Sequence, residues 1–388
     1  MPYIVKILFM LLHDFRFSNW SVETFLTRYH FAKAYAKYMG MQGHEVCLIT
    51  LHQDVIKPRM YFYDHYTLYV LPSRLFIPPF LGFGNEHSLY LPQYIKDLGR
   101  QADIIHIHNY WLWSFPYVTL LIKHFAKNAK FVVQYHGETD PSKIIRASIL
   151  RKIYSYPDLY LVARESEITF LKKYLLRGPL GNKVIKFPNV GVNHNIFKPV
   201  ARKSDNPMLI YVGRIMHERR NKFPFILLRL SKHDLLKNVK FCIVGDGPLL
   251  SLFKRYAAKH LLKNVLLTGY LPVSDVVKLM SKSWLYFYPG LLERADGYWD
   301  GAVKEALLCG TPTVALNANP DQDVIVEDSM GFLLPHKSLD ELAQRLWELL
   351  DKRRDIIFQK SKEVSEKSKV FSWENIITKL EKIYQVLL

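Results

Sequence analysis

A strand, a glycine turn and a helix follow one another in residues 239–260, VKFCIVGDGPLLSLFKRYAAKH. The run Val239–Val244 is short and mostly apolar, which predicts a buried strand. Gly245-Asp246-Gly247-Pro248 predicts a turn, and the residues after it predict a helix that ends near His260. A segment of this kind is the repeating unit of a parallel α/β sheet.

The same alternation extends over most of the chain in both directions. In the first half we predict strands at Tyr3–Leu12, Glu45–Thr50, Asp103–His108, Lys130–Tyr135, Leu159–Ala163 and Lys183–Phe187, and a helix from Ser21 to about Met39. In the second half we predict strands at Met208–Val212, Val265–Thr268, Trp284–Tyr288 and Thr313–Leu316, and helices at Phe223–Lys232, Asp275–Met280, Gly301–Leu308 and Leu339–Leu350. Strands that alternate with helices imply right-handed βαβ units, and therefore parallel sheets covered on both faces.

The length of 388 residues argues for two domains. The segment Pro188–Pro207 is rich in Pro and Asn and has little periodicity, so we interpret it as the linker. We predict an amino-terminal domain over residues 1–198 and a second domain over residues 199–372. Two doubly wound halves favour a ligand in the cleft between them, at the carboxyl ends of the strands.

The net charge of +18 comes from 53 Lys and Arg against 35 Asp and Glu. Such an excess favours contact with nucleic acid, an anionic membrane or a small phosphorylated substrate. The 49% hydrophobic and 23% charged residues are those of a globular protein and exclude a disordered chain. No block of like charges and no helix-turn-helix, zinc or OB-type signature is present, so we expect no nucleic-acid partner.

The amino-terminal run MPYIVKILFMLLHDF resembles a signal peptide, but Lys6 interrupts it and no small-residue cleavage site follows. We therefore interpret it as the first buried strand. No stretch approaches the ~18 apolar residues of a membrane-spanning helix. Cys47, Cys242 and Cys309 are scattered and lack CxxC spacing, which favours buried thiols in a reducing compartment. These observations predict a cytoplasmic protein.

Several enzyme classes are excluded by the turns after the strands. A dinucleotide-binding oxidoreductase needs GxGxxG after its first strand, but that turn reads Leu12-His13-Asp14-Phe15-Arg16. No GxxxxGK[ST] loop is present either, which argues against an ordinary P-loop enzyme. His106 and His108 lack matching Asp, Glu or Cys clusters on adjacent strands, so we expect no metal and assign both residues to packing.

A nucleotide-diphosphate site is predicted in the second half. The segment Asp300, Gly301 and Ala302 opens a helix, and a helix start suits a pyrophosphate because of its free N–H groups and positive dipole end. Arg214, after Gly213 at a strand end, could donate to the same phosphates. Glu305, one turn into the helix, could accept the two hydroxyls of a ribose.

These motifs, in this order, resemble those of the retaining GT-B glycosyltransferases, specifically family 4. The resemblance covers nearly the whole chain. It rests on Gly43-His44-Glu45-Val46, Asp103–His108, His136-Gly137, Pro188-Asn189-Val190-Gly191-Val192, Val212-Gly213-Arg214, Val244–Pro248, Lys304-Glu305-Ala306 with Gly310-Thr311-Pro312, and Phe371-Ser372-Trp373-Glu374.

The resemblance implies two Rossmann-like domains that face each other across a cleft, with the last helix, 373–388, packed back on the first domain. It implies transfer of a sugar from a nucleotide-diphosphate-sugar donor to an acceptor hydroxyl, with retained configuration and without a metal or other cofactor. The second domain would hold the donor, whose base would be selected near Thr268 and Leu271, and the first domain the acceptor. Residues 1–195 carry 23 basic and 13 acidic residues, which fits docking to an anionic membrane that carries a lipid-linked acceptor.

Roles for individual residues also follow from the resemblance. Arg214 and Lys222 would stabilise the charge on the departing diphosphate, with Arg219 and Arg220 as alternatives to Lys222. His136 would contact the donor sugar.

The chain departs from the family at the pair of glutamates, because the first acid would stand at position 297 and Gly297 is there. Asp296 or Asp300 could replace it, to bind sugar hydroxyls and oppose charge at the anomeric carbon. The turn after the first strand also lacks the family's Gly-Gly. Two alternatives to a transferase therefore stay open: a non-catalytic subunit that binds a sugar nucleotide, and a nucleotide-sugar epimerase.

Overall fold

The structure is a computed structural model that describes residues 4–16, 20–75, 86–109, 114–136, 151–163, 165–175, 182–188, 190–215, 222–288, 301–316, 330–334 and 338–388. The chain forms two compact units. Unit 1 contains Met1–Gly191 and Trp373–Leu388, and unit 2 contains Val192–Ser372. Each unit is built on a largely parallel sheet, so the predicted α/β class with parallel sheets is confirmed.

The main sheet of unit 1 has the strand order β10-β9-β8-β7-β1-β2-β4-β3, and every neighbouring pair is parallel except β3 with β4. Its strands are β1 (Lys6–Leu11), β2 (Glu45–His52), β3 (Arg59–Tyr63), β4 (Tyr66–Pro72), β7 (Ile104–His108), β8 (Lys130–Gln134), β9 (Leu159–Val162) and β10 (Val184–Lys186). A separate antiparallel pair consists of β5 (Arg74–Leu75) and β6 (Glu86–His87). The helices are α1 (Val22–Thr27), α2 (Phe31–Met41), α3 (Leu91–Tyr94), α4 (Phe115–Phe125), α5 (Arg151–Tyr154), α6 (Glu165–Phe170) and, at the end of the chain, α13 (Trp373–Leu387).

Helix α13 packs into the core of unit 1. The ring of Trp373 lies edge-on to Tyr35 of α2, with 4.9 Å between ring centroids. A Cβ atom on Gly191 would come within 2.6 Å of the Trp373 ring, so glycine permits this contact. Tyr384, nearer the carboxyl end of α13, is fully buried, and its hydroxyl lies 2.6 Å from Nδ1 of His106. The last helix is therefore an integral layer of unit 1.

One element prediction is wrong: the single helix from Ser21 to about Met39 is two helices, α1 and α2. The chain leaves helical geometry before His30, whose Nδ1 accepts a hydrogen bond from the N–H of Ala32 and begins α2. Lys33 donates to the last carbonyl groups of α1 and so ends that helix. Tyr29, which the apolar spacing Phe25, Tyr29, Ala32 and Ala36 of a single helix would place on the buried face, is 61% exposed. Side-chain capping at a histidine therefore overrides a continuous apolar spacing.

The sheet of unit 2 has the order β13-β12-β11-β14-β15-β16, and all of its pairs are parallel. Its strands are β11 (Met208–Val212), β12 (Lys240–Val244), β13 (Val265–Gly269), β14 (Leu285–Tyr288), β15 (Thr313–Ala315) and β16 (Gly331–Leu333). The helices are α7 (Lys222–Leu230), α8 (Leu250–Lys259), α9 (Val273–Lys282), α10 (Gly301–Leu308), α11 (Leu339–Lys352) and α12 (Arg354–Lys367). Separate buried clusters line the two faces of this sheet, as the predicted βαβ pattern requires.

The edge hairpin β3–β4 was not predicted, because β3 does not present a buried apolar run. Met60 is 49% exposed and Phe62 is 76% exposed at the end of the sheet.

Cys242 and Cys309 are buried, Cys47 is half-buried, and all three are free thiols. Among the described residues, no helix combines the length and the apolar character needed to cross a bilayer.

Candidate functional site

Glycines line the carboxyl ends of three adjacent strands in unit 2. The N–H of Gly213, after β11, donates to the carbonyl oxygen of Val244 at 3.0 Å, and the N–H of Gly245, after β12, donates to that of Gly269 at 3.0 Å. Gly245 has a φ of +139°, and a Cβ atom there would lie 1.9 Å from the carbonyl oxygen of Gly213. Only glycine fits this position. The strand ends therefore pack backbone against backbone, and this edge consists of main-chain groups rather than side chains.

Arg214 stands on this glycine-lined edge. The loop around it is fixed, because the N–H of buried Ile215 donates to the carbonyl oxygen of Asp246 at 2.9 Å. A Cβ atom on Gly247 would come within 2.1 Å of the Ile215 carbonyl oxygen, so the two loops pack backbone to backbone. The Arg214 side chain is exposed and has no hydrogen bond or ion pair with any other described residue. A fixed backbone therefore holds a guanidinium group that is available to an anion.

The first turn of α10 contains Gly301, Ala302 and Glu305. Helix α10 connects the parallel strands β14 and β15, so it begins at the carboxyl edge of the sheet, and Ala302 is buried in a cluster that also includes Val244 of β12. Oε1 of Glu305 lies 4.0 Å from the position that a Cβ atom on Gly301 would take. The carboxylate is thus folded back beside the start of the helix, where its backbone N–H groups carry positive partial charge.

Lys304 has no predicted role, but the structure places it beside this site. It is 1% exposed, and burial lowers its pKa to about 7. Its Nζ lies 5.8 Å from the centre of the Phe371 ring. The sequence signal for this residue is a lysine on the same face of α10 as Leu307 and Leu308, where an amphipathic helix would place an apolar side chain.

Thr268 and Leu271, predicted to lie near the nucleotide base, are at the end of β13. The hydroxyl of Thr268 donates to the carbonyl oxygen of Gly269 at 2.8 Å, and Gly269 has a φ of +73°. Leu271 is half-buried and packs against the same cluster as Ala302. The structure therefore gathers Gly213, Arg214, Leu271 and the start of α10 at one edge of unit 2.

Other predicted residues cannot be placed by their side chains. Lys222 begins α7, and its side chain is not among those described. Asp296 and Asp300, as well as the alternatives Arg219 and Arg220, lie outside the described residues. Their roles stay predictions.

In unit 1, His136 follows β8 and is buried at the carboxyl edge of the sheet. Its Nε2 lies 3.0 Å from Nδ1 of His108, the last residue of β7. Its backbone N–H donates to Oδ1 of Asn109, which adopts the left-handed region with a φ of 68°. The ring of Phe31 lies against that of His136, with 4.2 Å between centroids. The imidazole is thus held by an aromatic contact, a backbone anchor and a second histidine.

Burial sets the protonation of the neighbouring histidines. It lowers the pKa of His106 to about 3, and it lowers the pKa of His108 well below the ordinary value, with a further contribution from the adjacent histidines. Both rings are therefore neutral at physiological pH. A neutral His108 shares one proton with His136 along their hydrogen bond, and this fixes the orientation of His136. The expected packing role of His108 is thus extended by a contact with a predicted site residue.

Two further features of the described residues bear on ligand binding. No group of three or more His, Cys, Asp or Glu side chains in the described part of the chain could hold a metal ion. A cavity of about 460 Å³ lies at the opposite, amino-terminal edge of the unit 1 sheet, lined in part by Lys6, Glu45, Cys47 and Gln101. It contains none of the predicted site residues.

Comparison with known families decides the class of the protein. Residues 30–179 match the model of "Glycosyltransferase Family 4", and residues 192–370 match that of "Glycosyl transferases group 1". The chain belongs to glycosyltransferase family 4. The predicted family membership is thereby confirmed, and the family's two sequence models fall on units 1 and 2 respectively.

Among curated relatives of this family 4 glycosyltransferase, the uncharacterized glycosyltransferase MJ1178 of Methanocaldococcus jannaschii is 25% identical over 294 residues, which are 74% of this chain and 76% of that protein. An Escherichia coli enzyme named UDP-Gal:alpha-D-GlcNAc-diphosphoundecaprenol alpha-1,3-galactosyltransferase is 25% identical over 52% of this chain and 53% of its own length.

Solved structures share the fold over almost the full length. Sucrose-phosphate synthase from Thermosynechococcus elongatus has a TM-score of 0.70 at 17% identity and covers 98% of this chain and 99% of its own. Anabaena HepE, solved in complex with UDP and glucose, has a TM-score of 0.64 at 14% identity and covers 98% of this chain and 100% of its own. The GT-B fold expected from the sequence is thereby confirmed.

Proposed function

We propose that the protein transfers a sugar from a nucleotide-diphosphate-sugar donor to a hydroxyl group of a glycan or lipid-linked acceptor, with retention of the anomeric configuration. The observation that carries the proposal is the carboxyl edge of the unit 2 sheet, which contains a glycine-lined backbone, the exposed guanidinium of Arg214 and the start of α10. Backbone that approaches a ligand closely, a cation and a helix start are the features that bind a diphosphate.

The reaction would proceed on one face of the donor sugar. The bond between the anomeric carbon and the diphosphate oxygen breaks, and the acceptor oxygen forms its bond to the same carbon from the same side. The acceptor proton passes to the leaving diphosphate. Arg214 and Lys222 would stabilise the negative charge that develops on that group, without a metal. Glu305 would accept the ribose hydroxyls, and Asp296 or Asp300 would face the sugar.

His136 would contact the donor sugar. Its hydrogen bond to buried His108 supports this role, because it holds the imidazole in a fixed orientation. An imidazole held in this way can hydrogen-bond a sugar hydroxyl.

A uridine nucleotide is the first donor to test, since HepE was solved with UDP and the E. coli relative is named for UDP-Gal.

The name of the E. coli relative also contains a diphosphoundecaprenol acceptor, which supports a lipid-linked acceptor here. The basic excess of residues 1–195 would then draw a cytoplasmic enzyme to an anionic membrane. We expect the protein to sediment with phosphatidylglycerol vesicles at low salt and to be released at high salt.

The direct test is a thermal-shift survey with UDP-, GDP- and ADP-sugars, because a ligand that binds the folded state raises the unfolding temperature by mass action. One nucleotide class should stabilise the wild type and the control variant Glu348→Gln, which changes a glutamate on α11. Glu305→Gln should lose most of that shift. Equal shifts for both variants would contradict the assigned role of Glu305.

A turnover assay separates the proposed transferase from its alternatives. The purified chain should hydrolyse the stabilising donor slowly, and EDTA should leave the rate unchanged. Binding without any hydrolysis or transfer would favour a non-catalytic subunit, and epimerised sugar without an acceptor would favour an epimerase.

A further inference from the structure

His108, the last residue of β7, is fully buried among aromatic rings. Its ring is stacked on that of Phe9 in β1, with 5.5 Å between the centroids and 7° between the planes. The ring of Tyr35 lies 5.0 Å away, and the ring of Phe31 stands at 89° to it at 5.5 Å. These contacts hold the imidazole of His108 in one position.

The two ring nitrogens of His108 have different surroundings. Nδ1 lies 3.0 Å from Nε2 of His136, within hydrogen-bonding distance. Nε2 of His108 is buried and has no hydrogen-bond partner in the described part of the chain. Burial keeps the pKa of His108 well below its ordinary value, so the ring carries a single proton. The position of that proton decides which of the two histidines donates.

Two arrangements of the proton are possible. If His136 donates, Nδ1 of His108 accepts, and the single proton of His108 lies on Nε2 as a buried N–H group without an acceptor. If His108 donates from Nδ1, its Nε2 carries a lone pair instead. An orphaned buried N–H group is rarer in proteins than an acceptor that lacks a donor. His108 is therefore the donor.

The donor role of His108 fixes the tautomer of His136. Nε2 of His136 accepts the hydrogen bond, so the proton of its neutral ring lies on Nδ1. A backbone contact supports the same placement, because the N–H of His136 donates to Oδ1 of Asn109 at 3.1 Å. Asn109 directly follows His108 and has a φ of 68°, a conformation that asparagine adopts more readily than most residues. The end of β7 therefore holds both the ring and the backbone of His136.

We propose that His108 is a positioning residue of the transfer reaction: it hydrogen-bonds Nε2 of His136 through its own Nδ1–H, and so makes His136 present an Nδ1–H group to the transferred sugar. The inference rests on the proposed function, which assigns His136 to that sugar, and it adds which atom makes the contact. The group on the sugar is then an acceptor, such as a hydroxyl or ring oxygen. His108 itself does not touch the substrate.

The tautomer is measured by 15N NMR of the full chain labelled with 15N-histidine, because a ring nitrogen with a proton and one without resonate at very different frequencies. The signals of the two rings are assigned by their loss in His136→Asn and His108→Asn. We expect a protonated Nδ1 and an unprotonated Nε2 on His136, with a coupling to Nδ1 of His108 across the hydrogen bond. This measurement needs no substrate, and a protonated Nε2 on His136 would overturn the inference.

Two substitutions separate positioning from packing. His108→Phe keeps a flat ring against Phe9 and Tyr35 but has no N–H group, whereas His108→Asn loses the ring and keeps an amide N–H at the branch point of Nδ1. His108→Phe should therefore have the higher unfolding temperature of the two variants and the lower kcat. We expect its kcat to fall roughly 100-fold, because displacement of a positioned group by about 1 Å costs about that much, and His108→Asn to retain at least about a tenth of the wild-type kcat.

The exposed His65, in the turn between β3 and β4, provides the matched control, and His65→Asn should keep wild-type stability and turnover. A kcat for His108→Phe equal to or above that of His108→Asn would show that His108 acts by packing, and it would overturn the inference. A wild type that transfers no sugar from any nucleotide sugar would contradict the proposed function, and with it this role, even where NMR shows the expected tautomer.

Discussion

The carboxyl edges of the two sheets are built in opposite ways. In unit 2 the ends of β11 and β12 are glycines that pack backbone to backbone, so main-chain groups and one exposed arginine form the edge. In unit 1 the ends of β1, β7 and β8 carry buried polar side chains, namely His13, Asp14, His108 and His136. A backbone edge suits a diphosphate, which all nucleotide-diphosphate sugars share, whereas an edge of buried side chains can discriminate among ligands by their shape and hydrogen-bonding groups.

The largest expected effect on the unit 2 edge is the destabilisation of the fold by Gly245→Ala. The new Cβ atom would lie 1.9 Å from the Gly213 carbonyl oxygen, at a φ of +139° that L-residues avoid. We expect a loss of about 3 kcal/mol or more in the free energy of unfolding, measured by urea titration. Gly43→Ala is the matched control, because its φ is +91° but nothing lies within 4 Å of a Cβ there. It should cost only about 1 kcal/mol, and equal losses would show that Gly245 is not a packing requirement.

Removing the cation from the same edge should affect turnover rather than folding. Arg214→Ala should reduce kcat/KM for the donor by roughly 100-fold, since a preorganised positive group aimed at developing charge contributes about that much. Its unfolding temperature should not change, because the side chain has no hydrogen bond or ion pair with the described residues. Arg229→Ala, an exposed arginine in the last turn of α7, should retain full activity. Equal activity of the two variants would show that Arg214 does not contribute to the donor site.

The difference between the two edges also decides what could be predicted from sequence. The unit 2 edge is encoded in short local motifs, such as Gly245-Asp246-Gly247-Pro248, so sequence reasoning located it. In unit 1 the buried Asp14 accepts a hydrogen bond from Ser73, 59 residues further along the chain, and no local spacing connects the two. The break between α1 and α2 was missed for a related reason: it depends on the ring of His30 and the ammonium group of Lys33. Side-chain contacts of either kind, between distant segments or within one segment, leave no periodic signal in the sequence.

The buried Lys304 gives unit 2 a pH dependence. Its pKa is about 7 in the folded protein and returns to 10.5 on unfolding. Between these values the unfolded chain binds the extra proton, so the free energy of unfolding should rise with pH. From pH 7 to pH 9 the wild type should gain about 2 kcal/mol relative to Lys304→Met, which lacks the titrating group. Urea unfolding at several pH values measures this difference, and parallel curves for the two proteins would contradict it.

The buried Glu86 gives unit 1 the opposite dependence, with a smaller effect. Burial raises its pKa above the ordinary 4.5, so between the two values the folded protein holds the proton more tightly than the unfolded chain, and stability falls as pH rises. Glu86→Gln should therefore be more stable than the wild type by about 1 kcal/mol at pH 8, with the difference shrinking as the pH falls towards 4.5. Asp64→Asn, which alters an exposed acid, should follow the wild type throughout. A Glu86→Gln protein that is less stable than the wild type at pH 8 would show that the carboxylate stabilises unit 1.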